Sequence, residues 1–134
     1  VSDETAAAGL EILRNGNSPL IHTALGPSQD MSAALDHAAG ARHRIGRALG
    51  RILRQLIASE NLTRAVIAGG DTSSHALKEL SIEALTTLLP LPDTPGSPLC
   101  LAHGSAKAAD GLQIALKGGQ VGADDYFSMI RRGG

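Results

Sequence analysis

Two glycine-bearing stretches carry the residue types and spacing that could do chemistry. The first is Gly69, Gly70, Asp71, Thr72, Ser73 and Ser74, placed between the apolar run "RAVIA" and a helical pattern. Glycines let backbone N–H groups approach an anion closely, and the positive end of the following helix favours its charge. Thr72 and Ser73 add hydroxyl donors, and Asp71 could orient a magnesium ion through water. The plain alternative is an ordinary turn, in which Asp71 or Thr72 caps the helix and the glycines make the bend. Neither a Walker A loop nor GxGxxG is present here, so spacing alone leaves both readings open.

The second stretch is Lys117, Gly118, Gly119, Gln120, Val121 and Gly122. Three glycines in five residues beside a lysine suit an anion-binding nest of successive N–H groups. A bulge or hairpin turn accounts for the same residues. Ligands of open α/β sheets settle at the carboxyl ends of strands, and both stretches fall at such ends.

The remaining reactive residues suggest less. His22, His37, His43, His75 and His103 form no HxH or HExxH pair, so no zinc site is expected. His22 and His103 stand on or beside strand ends, as pocket residues or as ordinary packed histidines. Ser105, with His103 and Asp110 nearby, lacks the GxSxG elbow of a hydrolase. Cys100, the single cysteine, reads as a small core residue. Residues 42–64 hold six arginines and one acid, Glu60. That face suits solvent, a partner domain or a nucleic acid, but no aromatic residues are interleaved for base stacking.

The elements that must position these residues follow from periodicity. Residues 3–16 read as a helix, with Gly16 as its C-cap. "SPLIHTAL" (18–25) reads as a short strand, broken by "GPSQD". Residues 31–59 form the longest helical pattern, and Gly46 and Gly50 on it suggest close packing against a sheet. Strand 64–70, a helix from Thr72 to Ile82, the apolar run "ALTTLLPLP", strand 98–104, strand 112–119 and a closing helix to Arg132 complete the pass. The expected fold class is α/β: one domain with a mostly parallel or mixed sheet flanked by helices.

Composition bounds the rest. The 134 residues are 43% hydrophobic, with Tyr126 and Phe127 as the only aromatics, so the core must be aliphatic. A net charge of −1 gives no global pull toward nucleic acid or an anionic membrane. One cysteine excludes an internal disulfide and suits a cytoplasmic home. No signal peptide or membrane-spanning run is evident. Opening at Val1, the chain reads as a processed product or a piece of something longer.

The order "PLIHTALGP", "RAVIAGGDTSSHAL", "GLQIALKGGQVGADDYF" resembles the C-terminal nucleotide-binding domain of the four-carbon acid sugar kinase family. The resemblance runs from about Asn17 to Ile130. Its most specific parts are the GG-acid-T-S turn and the LKxGxxG turn with an aromatic soon after. The family more often has LKSGNFG at the second turn, and its GPxDPR-like loop is here Gly26, Pro27, Ser28, Gln29, Asp30, Met31, without the arginine.

The resemblance implies a kinase that moves the ATP γ-phosphate to a hydroxyl of a four-carbon sugar acid, with Mg2+ as cofactor. The acid substrate would sit on an N-terminal domain that these residues do not contain, so residues 1–134 would be the ATP-holding part, inactive alone. Gly69, Gly70, Asp71, Thr72 and Ser73 would line the phosphates. Gly119 and Gly122 would let the nucleotide approach the second turn, and Thr23 would add a contact. No nucleic-acid or membrane partner is implied, and a homo-oligomer is compatible. A second class of function is a non-catalytic interaction module on the same fold. A third, a nucleic-acid binder using the arginine face, would show steeply salt-dependent binding.

Overall fold

The computed structural model describes residues 2–24 and 40–133. Within them lie helix α1 (Ser2–Arg14), helix α2 (Ala41–Glu60), strand β1 (Arg64–Ala68), helix α3 (Gly70–Glu79), strand β2 (Ile82–Leu89), strand β3 (Leu99–Gly104), strand β4 (Gln113–Lys117) and helix α4 (Tyr126–Arg132). The sheet runs in the order β1-β4-β3-β2. It is mixed: β1 and β4 are parallel, and the other two pairs are antiparallel. The expected α/β fold with one flanked sheet is what forms.

Alternation along the strands decides which helices cover which face. Ala65 and Ile67 of β1, Ile114 of β4 and Ala102 of β3 point to one side, where Ile57 of α2 and Ala76 and Leu80 at α3 meet them. Val66, Ala115 and Leu99 point to the other, against Tyr126 and Ile130 of α4 and Leu91 of the β2–β3 connection. α1 forms an outer layer on α2 through Ala6, Ile52 and Leu56.

The expectation of a strand at 18–25 is corrected. Residues 18–24 are not in a strand, and Leu25 lies outside the described residues. Ile21 instead packs into the α1–α2 cluster, so the apolar pattern reflects helix contacts, not sheet pairing. The long helical pattern is described from Ala41 onward; its 31–39 part, and the Gly26–Met31 loop, fall outside the described residues. The helix expected from Thr72 to Ile82 starts two residues earlier and stops at Glu79. Ser81 then takes a left-handed φ of 55°, and Ile82 turns into β2.

Gly46 and Gly50 serve a helix, not a sheet. A Cβ on Gly50 would stand 2.8 Å from the Ala76 Cα, and one on Gly46 would stand 3.0 Å from the His75 Cβ. The missing side chains let α2 and α3 lie almost backbone to backbone. Beside that contact, the arginine face finds its counter-charge. Arg47 Nε donates to Glu79 Oε1 at 2.9 Å, Arg51 Nε to Oε2 at 3.4 Å, and Arg54 to the Glu79 carbonyl at 3.3 Å. The Arg47 hydrogen bond holds the Glu79 carboxyl below its usual value, partial burial opposes it, and the Arg51 charge adds to the lowering. No helix among the described residues is long and apolar enough to cross a membrane.

Two outcomes follow for this interface. Gly50→Ala, though alanine is the better helix former by about 1 kcal/mol, is expected to lower the unfolding free energy by about 1–3 kcal/mol through overpacking, read from urea melts. Because the folded-state pKa of Glu79 is depressed, its stabilisation is present above the ordinary carboxylate range and is lost as pH falls through the lowered value. Melting the parent and Glu79→Gln across that acidic window should show a stability gap that closes as pH falls; a constant gap would refute the linkage.

Candidate nucleotide site

Parallel pairing sets the two glycine turns side by side. β1 and β4 run in register from Arg64↔Gln113 to Ala68↔Lys117, so they end together. One further hydrogen bond joins the turns themselves: Gly69 N–H donates to the Lys117 carbonyl at 2.9 Å. Gly69 holds φ 98° and ψ 129°, a left-handed-side conformation that side chains disfavour.

Beyond Gly69 the chain enters α3, whose N-cap is Gly69 itself, with no side-chain cap. The alternative in which Asp71 or Thr72 caps the helix is therefore not what forms. The first N–H groups of a helix have no intrahelical partner, so those of Gly70, Asp71 and Thr72 are left for an outside acceptor. Ser73 is used differently: its N–H and its Oγ both donate to the Gly69 carbonyl, at 2.9 and 2.7 Å. Ser73 thus pins the turn, and its hydroxyl proton is spent there. Thr72 is half-buried, and its hydroxyl has no hydrogen bond among the described residues. Asp71 is exposed, and its carboxylate lies 3.9 Å from the Arg42 guanidinium, a distance at which an exposed pair contributes little.

The second turn is a bend between β4 and α4, not a hairpin. Val121 N–H donates to the Gly118 carbonyl at 3.3 Å. Lys117 folds its ammonium back over the turn, 3.1 Å from the Gly118 carbonyl. Gly122 has φ 96°, and a Cβ there would meet the Tyr126 ring at 3.1 Å and Lys117 Cε at 3.3 Å. Gly70 and Gly119 differ. Neither has a left-handed φ, and a Cβ on either would meet nothing within 4 Å among the described residues. Neither backbone strain nor local packing asks for glycine at those two positions, whereas close approach of a ligand would.

Thr23 is not brought to this pair of turns by any hydrogen bond among the described residues. It is exposed and follows the segment that packs on α1. His103 donates or accepts across to the Thr86 hydroxyl at 2.7 Å, so it behaves as a packed histidine, while His22 is exposed and off the sheet. Cys100 is half-buried, and burial pushes its thiol pKa up.

Sequence reading missed a cleft of about 360 Å³ lined by His43, Arg47, Arg54, His75, Lys78 and others of α2 and α3. It shares no lining residue with either glycine turn. The His43 and His75 rings meet edge to face, 4.0 Å between centroids. His75 most strongly, then burial, Arg47 and Lys78, hold the His43 pKa below its usual value. Only the packing of α2 on α3 brings the two histidines together, and no spacing in the sequence signals it.

The contrast among the glycines is testable. Gly122→Ala is expected to cost about 1–3 kcal/mol of stability, from strain and overpacking. Gly119→Ala should stay within about 0.5 kcal/mol of the parent, both measured by chemical denaturation.

Comparison with known proteins gives the family. The family model described as the nucleotide-binding C-terminal domain matches residues 1–127. A 3-oxo-isoapionate kinase of Paraburkholderia graminis is 41% identical over 98% of this chain and 29% of its own length. A 3-oxo-tetronate kinase of Pseudomonas savastanoi is 35% identical over 60% of this chain and 17% of its own. The chain thus spans under a third of the curated relatives it matches. A Haemophilus influenzae protein of known structure shares the fold, with a TM-score of 0.69, 22% identity and coverage of 98% of this chain and 30% of that one. A Bordetella bronchiseptica protein, a domain-swapped dimer with bound citrate, aligns with a TM-score of 0.57 and 27% identity over 63% of this chain and 21% of its own. The chain belongs to the nucleotide-binding C-terminal domain family of the four-carbon acid sugar kinases.

Proposed function

We propose that this chain is the ATP-holding part of a cytoplasmic sugar-acid kinase, which transfers the γ-phosphate to a hydroxyl of a four-carbon sugar acid. The observation that carries the reading is the stitched pair of glycine turns at the carboxyl ends of two parallel strands, with an uncapped helix start opening onto them. The residues present fit a nucleotide polyphosphate. The N–H groups of Gly70, Asp71 and Thr72 and the Thr72 hydroxyl would donate to phosphate oxygens, and the α3 dipole would favour their charge. Ser73 would hold the turn in shape. Gly119 and Gly122 would leave room for the nucleotide, and Thr23 would add a contact only by a rearrangement that brings it to these turns.

Bound Mg2+ would neutralise charge on the phosphates, and Asp71 is the acid at the first turn able to orient it through water. Phosphoryl transfer asks the protein mainly for positioning and charge stabilisation, and these turns supply both without a side-chain nucleophile. The acceptor acid and its general base would come from a separate substrate domain. The kinase names of the relatives support this assignment of reaction class.

Gly70→Asp tests the cradle. Its side chain enters open space, so the fold should survive, with a melting temperature within a few degrees of the parent. The added carboxylate faces the phosphates, and Mg-ATP binding measured by calorimetry should fall at least about tenfold, as expected for an unfavourable contact of roughly 1.4 kcal/mol or more. Unchanged affinity in the variant would remove the phosphates from this turn.

A further inference from the structure

The sheet brings a third segment to the same end as the two glycine turns. β3 is antiparallel to β4 and begins beside its end, with Leu99 opposite Ala115, and β2 finishes there, with Leu89 opposite Leu99. The 90–98 connection therefore lies next to the 118–122 turn, on the side away from the 69–73 turn. One residue joins them. Tyr126 is fully buried, its ring lies under Gly122, and its hydroxyl donates to the Ser97 carbonyl at 3.0 Å. Leu91 and Leu99 pack against it in one cluster.

The segment has a polar peculiarity as well. Thr94 and Ser97 are each 1% exposed, and their hydroxyls have no hydrogen-bond partner among the described residues. Buried hydroxyls are normally paired, so the segment keeps its shape through other contacts. Its internal bonds are Thr94 N–H to the Leu91 carbonyl and Ser97 N–H to the Thr94 carbonyl, both at 3.0 Å. Tyr126 fastens it to the rest of the fold by a hydroxyl hydrogen bond, and Cys100 of β3 adds a thiol contact to the Pro98 carbonyl at 3.8 Å.

We propose that the 90–98 segment is a third wall of the site, placed to meet the nucleoside end of the nucleotide, and that Tyr126 is the positioning residue that holds this wall against the second glycine turn. The inference rests on the nucleotide reading above. Phosphates favour the α3 start at the end of β1. Two strand spacings along, about 10 Å, an extended nucleotide leaves the turn at β4 and reaches the entry to β3. Pro92, Pro95 and Gly96 are exposed there, giving a surface with little side-chain mobility to lose on contact with a sugar or base.

The test compares Mg-ATP with Mg-tripolyphosphate, which lacks the nucleoside, on the intact protein by calorimetry, with backbone amide shifts followed in parallel. In the parent, Mg-ATP should move amides in 93–97 together with those of 69–73 and 118–122, and tripolyphosphate should leave 93–97 still. Tyr126→Phe keeps the ring and removes only the hydroxyl. It should weaken Mg-ATP about fivefold, the effect of one hydrogen bond, and leave tripolyphosphate affinity unchanged. A purely structural tyrosine would lower the melting temperature and change both ligands equally or neither, and that result overturns its positioning role. If the glycine turns respond to Mg-ATP while 93–97 stays still, the third wall is refuted and the nucleotide site stands. If no amide at either turn responds, the underlying nucleotide reading fails instead.

Discussion

The hydrogen bond from Gly69 N–H to the Lys117 carbonyl is the constraint on which the candidate site depends. Parallel strands cannot be joined by a tight turn, so β1 and β4 meet only because α3, β2 and β3 are laid down between them. Their common end is thus a product of the whole topology. Once they end together, a donor that would otherwise be left over at the end of β1 finds its acceptor on the neighbouring strand. Two turns with separate sequences then behave as one rim.

What holds that rim in place is spread over both faces of the sheet. On one face, α2 and α3 meet through Gly46 and Gly50, and Glu79 gathers Arg47, Arg51 and Arg54. This close packing orients α3, and with it the direction in which its uncapped N–H groups point. On the other face, Tyr126 and the Leu91, Leu99 and Ile130 side chains support the second turn from beneath. Half of the arginine run therefore serves the α2–α3 contact, where Arg47, Arg51 and Arg54 converge on Glu79.

The glycine turns, the strand that precedes each and the α/β class could be read from residue order, because they depend on local chemistry: apolar runs, missing Cβ atoms and turn formers. Residues 18–24 misled because apolar alternation records burial, and Ile21 is buried by helices α1 and α2. Gly46 and Gly50 announced close packing, but a helix partner and a sheet partner demand the same small residue. The His43–His75 contact and the role of Tyr126 were not legible, since each depends on elements distant in sequence. Ser73 shows a subtler limit: its type suggested an outward donor, while the local geometry turns its hydroxyl to the Gly69 carbonyl.

Arg64 extends this dependence into time. Its guanidinium binds the Gln113 side chain, 49 positions on, and donates to the Ile130 carbonyl at 2.9 Å, 66 positions on. The positive charge thus sits at the C-terminal end of α4, where exposed carbonyls and the helix dipole welcome it. During synthesis β1 emerges long before either partner exists, and contacts of such separation form late because loop closure must come first. The first glycine turn is consequently made early, but it acquires its neighbour only once β4 and the second turn have followed. The rim is completed well after β1 has emerged, so a chain interrupted before residue 122 would carry half a cradle and no mature one.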